Sequence, residues 1–342
     1  MRYIREILFT ISFVLILASS SRLFAQVNID ITRGRVEPMP VAVTIFSGMD
    51  SVSNQFGAEV SQVIANDLER SGLFRPIDSG AFLESLTSLD VLPRFGDWRA
   101  INAQALVQGK VELVKAGEVK ISFRLWDVFG GQQLIGKVLN TQTKNSRRVA
   151  HIIADNIYSQ ITGEQGYFDT RIVYVSESGP KTRRIKRLAI MDQDSYDHRF
   201  LTDGSALVLT PRFSPTSQSI TYLSYFNNIP RVYLLNLDNG RREILGDFPG
   251  MTYAPRFSPS GNEIIFSMAS DGNSDIYKQT LLSRRTIRLT DHPAIDTSPS
   301  FSPDGKMVTF NSDRGGSQQI YIMKSDGSGP RRISFSKGRY AT

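Results

Sequence analysis

The chain has 342 residues, three histidines, no cysteine and a formal net charge of +7. That length is enough for two domains, each with its own core. The cysteine count excludes a disulfide framework, a thiolate nucleophile and a cysteine-ligated metal, and His151, His198 and His292 are too few for a multi-histidine centre.

Arg2 and Arg5 precede an apolar stretch from Ile7 to Ala18. It is shorter than the roughly 20 residues a spanning helix needs, and it has the form of the core of a secretory signal. We expect residues 1–25 to be a signal peptide cleaved after Ala25, although Leu23 is large for its place in such a site. Arg2, Arg5 and Arg22 against Glu6 account for +2 of the charge, so the processed chain carries +5. Next, Val27, Ile29 and Ile31 alternate with Asn28, Asp30, Thr32 and Arg33. That pattern fits an exposed strand able to pair with a partner's edge, and equally an ordinary first strand of a sheet.

Residues 26–165 read as a small α/β domain. Val41 to Phe46 is a continuous apolar run suited to a strand buried on both faces. Phe56, Val60, Val63, Ile64 and Leu68 follow at helical spacing, with Gly72 where a helix C-cap is expected. A short helix near Asp97 to Gln104 leads into a strand from Ala105 to Val114. Val119 to Asp127 and Gln133 to Leu139 form a hairpin around Gly130-Gly131. Val149, Ile152, Ile153, Ile157 and Ile161 make one face of a last helix, with His151 at the boundary of that face. We expect the sheet on one side and the helices on the other, and a hinge at Gly163-Glu164-Gln165-Gly166.

From there the chain is an array. Pro211-Arg212-Phe213-Ser214-Pro215 recurs as Pro255-Arg256-Phe257-Ser258-Pro259 and Pro299-Ser300-Phe301-Ser302-Pro303, an offset of 44 residues each time. Ile220, Ile264 and Val308 share a phase, as do Tyr233, Tyr277 and Tyr321, and Leu201, Leu245, Leu289 and Ile333. Short β-rich runs separated by Asp271-Gly272, Asp304-Gly305, Gly315-Gly316 and Asp326-Gly327 give four antiparallel strands per unit. Such a unit, of about 40 to 50 residues, is a β-propeller blade. The mark's aromatic ring fills the gap between blades, so the Phe positions are core, and the tyrosines read as structural too. Repeats fall near 167–206, 207–250, 251–294 and 295–338, with the next one cut off and the first degenerate. About four blades make an open arc. Arg241-Arg242, Arg284-Arg285 and Arg331-Arg332 fall near one phase, which suits charge guarding an outer edge strand better than a nucleic-acid track.

No Gly-x-Ser-x-Gly elbow, phosphate-cradling loop or dinucleotide fingerprint occurs, and the Asp-Gly pairs are turn chemistry rather than a calcium site. We expect no catalytic residue, metal or cofactor, and read His198 and His292 as surface loop residues. What remains is surface. The loops entering the innermost strands should gather at one mouth of the channel: Leu207 to Thr210, Met251 to Ala254, Asp296 to Ser298 and Tyr340 to Thr342. Met251 and Tyr253 are adaptable contact makers of the kind enriched at interfaces.

The junction Gly166-Tyr167-Phe168-Asp169-Thr170-Arg171-Ile172-Val173-Tyr174, the repeats with Ser302-Pro303-Asp304-Gly305, and Ser312-Asp313-Arg314-Gly315-Gly316 together resemble the TolB family. These are periplasmic propeller proteins of the Tol-Pal system of Gram-negative bacteria. The resemblance covers essentially the whole chain and implies a non-catalytic adaptor peripheral to the outer membrane. It implies binding of the lipoprotein Pal through Met251, Thr252, Tyr253, Ala254, Asp296, Thr297 and Ser298. It further implies binding of the inner-membrane-anchored TolA through Val27, Asn28, Ile29, Asp30, Ile31, Thr32 and Arg33, other envelope partners, and a role in outer-membrane integrity and invagination at division. The family's propeller has six blades, so the resemblance also implies that this chain is a fragment of a longer protein or a defective copy of one. The alternative is the propeller portion of a serine peptidase without its hydrolase domain.

Overall fold

The computed structural model describes residues 37–85 and 88–335. The signal peptide, the segment 27–33 and Tyr340 to Thr342 lie outside the described residues. The chain divides into two compact units, Met1–Thr170 and Arg171–Thr342.

In the first unit, β1 (Met39–Val43) lies parallel to β2 (Phe74–Pro76) on one side and to β3 (Ala105–Lys115) on the other. An antiparallel meander of β3, β4 (Glu118–Asp127) and β5 (Gln132–Gln142) completes the order β2-β1-β3-β4-β5. Helix α1 (Ser51–Arg70) starts where the Asp50 carboxylate accepts a 2.9 Å hydrogen bond from the Ser53 N–H, the N-cap arrangement that satisfies an otherwise orphaned donor. Its apolar face, with Phe56, Val60, Ile64 and Leu68, shares one core with Val41, Phe123 and the Ile153, Ile157 and Ile161 face of α3 (Ser146–Thr162). Gly163 ends α3 in the left-handed conformation. The unit runs on to Thr170: Phe168 is buried in its core, and its N–H donates to Asp155 Oδ1 at 2.7 Å.

The sheet is covered on both faces rather than one. Because side chains alternate along a strand, Ala42 and Leu106 point opposite to Val41 and Val107. They join Trp98, Ala103, Trp126 and Val128 in a second cluster under the short helix α2 (Phe95–Ala100). His151 is also not a boundary residue. Packing of α3 on α1 buries it, and its Nδ1 lies 2.6 Å from Oδ2 of Asp67, 84 positions earlier in the chain.

Gly57 lets α1 pass close over the chain leaving β1, since a Cβ there would lie 2.0 Å from the Phe46 carbonyl oxygen. Helix propensity alone favours Gly57→Ala by up to about 1 kcal/mol. The clash is with backbone and no rotamer relieves it, so the sign should reverse to a loss of about 1–3 kcal/mol. Urea unfolding followed by tryptophan fluorescence checks this, because both tryptophans, Trp98 and Trp126, lie in this unit.

The second unit is four successive antiparallel sheets. The first has three strands, β6 (Arg171–Ser178), β7 (Ile185–Asp192) and β8 (Arg199–Phe200). The second runs β9 (Val208–Phe213), β10 (Ser219–Ser224), β11 (Arg231–Asn236) and β12 (Arg242–Ile244). The third is β13 (Met251–Phe257), β14 (Glu263–Ser270), β15 (Asn273–Thr280) and β16 (Thr286–Arg288). The fourth is β17 (Asp296–Phe301), β18 (Met307–Ser312), β19 (Gln319–Lys324) and β20 (Arg331–Arg332).

These are propeller blades. Strand β6 packs beside β9, β9 beside β13, and β13 beside β17, so the first strands converge and form the inner side of an open array. Three apolar clusters fill the gaps between successive blades, and Phe213, Phe257 and Phe301 of the marks pack into them. The outermost strands carry the paired arginines: Arg242 begins β12, Arg331 and Arg332 make up β20, and Arg284-Arg285 precede β16. Among the described residues no helix is long and apolar enough to cross a membrane.

Candidate partner-binding face

Apart from Leu207, which precedes β9, the residues expected to be loop before the three marks are not loop. They are the opening residues of the inner strands and are already laddered: Met251 opposite Ala269, Thr252 opposite Met268 and Asp296 opposite Ser312. Proline made them read as loop, because it cannot donate to a ladder. A bulge solves that problem. Between Tyr253 and Arg256 the inner strand carries one residue more than its partner, and the same shift recurs between Thr297 and Ser300 and opposite Thr221 to Leu223. The residue before each proline takes up the irregularity with a positive φ: Thr210 at 49°, Ala254 at 50° and Ser298 at 54°. None is glycine, so each of the last three blades holds a strained backbone site at one place on the inner strand.

The bulge sorts the side chains. Val208, Thr252 and Asp296, in one phase, are buried. The Thr252 hydroxyl accepts a 3.0 Å hydrogen bond from the Val232 N–H of the preceding blade. Asp296 is 0% exposed: its Oδ2 accepts from Arg314 Nη2 at 2.6 Å, and its backbone carbonyl accepts from the Ser274 hydroxyl at 3.1 Å. In this structure both residues stitch blades together and neither is open to a partner.

Tyr253 is half-buried, its hydroxyl sharing a 2.7 Å hydrogen bond with Ser274. Burial raises its phenol pKa above the ordinary value, against the opposing pull of hydrogen bonds from Ser274 and Ser267. Ala254 and Thr297 are half-buried, and Ser298 is exposed with its N–H bonded to Ser267 Oγ at 3.1 Å.

One position earlier in the repeat, Leu207, Met251 and Ile295 are 40%, 37% and 42% exposed. Three large apolar side chains at one phase on neighbouring blades form an arc beside the converging inner strands. Ile295 was missed in the sequence, where Asp296 drew attention instead, although the 44-residue offset from Met251 is the signal that finds it. A cleft of about 340 Å³ adjoins the arc, lined by Tyr253, Ile295 and the Ala269 to Ser274 turn. Such a surface has apolar contact area, a shallow recess and hydrogen-bonding backbone, and it suits a protein partner. His292 lies in a turn where its Nδ1 accepts from the Ala294 N–H at 3.0 Å, and the exposed His198 packs edge-on to Phe200.

Comparison with known proteins gives the same architecture. Residues 158–342, more than half of the chain, match the TolB beta propeller domain, and residues 27–134 match the TolB amino-terminal domain. A Tol-Pal system protein TolB from Paramagnetospirillum magneticum (strain ATCC 700264 / AMB-1) is 57% identical over 210 residues, which is 61% of this chain and 47% of that relative. The chain therefore spans about half the length of the curated relative it matches. The crystal structure of TolB from Acinetobacter baumannii aligns with a TM-score of 0.74 at 29% identity, covering 92% of this chain and 76% of that one. With an α/β unit, repeated bulged blades and matches over both regions, the chain belongs to the TolB family.

Proposed function

We propose that the chain is a non-catalytic adaptor of the Tol-Pal system. Exported to the periplasm by its cleaved signal peptide, it binds Pal through the inner-strand face and TolA through residues 27–33, supporting outer-membrane integrity and invagination at division. The observation that carries this reading is the phase-locked arc of Leu207, Met251 and Ile295 on a TolB-family propeller. Of the residues that the resemblance implied for Pal, Met251, Tyr253, Ala254, Thr297 and Ser298 remain available for contact, with Thr252 and Asp296 holding the blades beneath them. The match of residues 27–134 to a TolB amino-terminal domain favours this reading over a peptidase propeller.

Titrating the processed chain separately with purified Pal and TolA tests the proposal. Both should bind, and deleting residues 27–33 should abolish TolA binding while leaving the affinity for Pal within about threefold, because the proposal assigns the two contacts to different parts of the chain. Failure to bind either protein would contradict the adaptor reading.

A further inference from the structure

Most arginines with buried stems in the second unit have a partner outside their own residue and its neighbour: Arg171 reaches the Gln218 side chain, Arg187 the Asp203 carbonyl and Arg332 the Ser334 carbonyl, and others meet carboxylates. Arg231 meets Asp247 at 3.3 Å, Arg288 meets Asp275 at 2.6 Å and Asp291 at 2.9 Å, and Arg314 meets Asp296 at 2.6 Å. Arg212 and Arg256 have neither a carboxylate nor a distant hydrogen-bond acceptor among the described residues. They are the second residues of consecutive Pro-Arg-Phe marks, on the neighbouring inner strands β9 and β13, and both are half-buried. Among the described residues the Arg256 guanidinium has no hydrogen bond or ion pair, and that of Arg212 has only a 2.9 Å bond from Nη1 to the carbonyl of adjacent Pro211. They are also close enough to repel. The pKa of Arg256 is lowered from its ordinary value, first by burial and then by the charge of Arg212.

Two like charges gathered without a counter-charge, beside a surface that suits a protein partner, leave electrostatic demand unmet. Each lies two residues beyond a left-handed bulge residue, Thr210 or Ala254, and five residues along the chain from Leu207 or Met251 of the arc, so both belong to the same inner-strand face. The fourth blade has Ser300 in this phase, which limits the charged seat to the second and third blades. Guanidinium groups present a planar fork that matches a carboxylate in two-point contact.

We propose that Arg212 and Arg256 together seat a carboxylate side chain of the protein that docks on the inner-strand face. This rests on the adaptor reading and specifies the chemistry of the partner's contact: an acidic residue reaching past the apolar arc to the inner strands.

The test compares the wild-type chain, the double variant Arg212→Gln/Arg256→Gln and Met251→Ser by calorimetric titration with Pal at low and high salt, after confirming wild-type urea transitions. The double variant is expected to bind about 30-fold or more weakly and to lose most of the salt dependence. If Met251→Ser weakens binding while the double variant binds like wild type at both salts, the carboxylate seat is wrong and the adaptor reading stands. If wild type does not bind Pal, the adaptor reading fails and titration with citrate decides the seat: saturable binding lost in the double variant supports it, and equal or absent binding overturns it. Binding of inorganic phosphate but not citrate would overturn the carboxylate assignment.

Discussion

Asp296→Ala should destabilise the second unit by about 3–5 kcal/mol, the usual cost of leaving one member of a buried ion pair behind. Asp296 is fully buried and the Arg314 side chain is 15% exposed. The guanidinium also stacks over Phe310 and Tyr321, 5.4 and 5.2 Å from their ring centres. Without the carboxylate, a cation would be stranded among aromatic rings, where cation–π attraction of about 0.5–2 kcal/mol does not replace the lost partner. The first unit should be unaffected, so tyrosine near-ultraviolet circular dichroism should shift to lower urea while the tryptophan fluorescence transition stays in place. Asp296→Asn keeps the volume and one acceptor and should fall between. An unchanged tyrosine transition with weakened Pal binding would instead make Asp296 a direct contact.

The second large effect concerns the arc. Leu207→Asp, Met251→Asp and Ile295→Asp should each lower Pal affinity by about 10- to 100-fold, because burying a carboxylate without a partner at an interface costs at least as much as losing an apolar hot spot of about 2 kcal/mol. All three side chains are already exposed in the free chain, so stability should change by less than about 1 kcal/mol. Leu282→Asp supplies the control. Leu282 is 97% exposed in the turn before β16, away from the inner strands, and its replacement should leave Pal binding unaltered.

Periodicity made most of the fold readable. The 44-residue phase yielded the blades, and the 3.6-residue spacing of Phe56 to Leu68 and Val149 to Ile161 yielded the two long helices, because these patterns report directly which side faces a core. What failed to show depended on contacts between distant residues. His151 looked like an edge residue because nothing local announces that Asp67, on another helix, will bury with it. Trp98 and Trp126 gave no sign that the sheet would be covered on its second face, since two tryptophans carry no period. At the candidate site, proline suggested loop where a bulge keeps the strand, and that single extra residue decides the outcome: Asp296 and Thr252 turn inward, while Met251 and Ile295 turn out. Spacing located the surface, but only the bulge's geometry assigned its residues to contact or to support.

Hydrogen exchange of the processed chain with and without Pal tests the central claim most directly. The account predicts slowed exchange on Pal addition in 207–210, 251–254 and 295–298, with little change in the outer strands β12, β16 and β20. Protection confined to those outer strands, with the three inner segments exchanging as in the free chain, would contradict it.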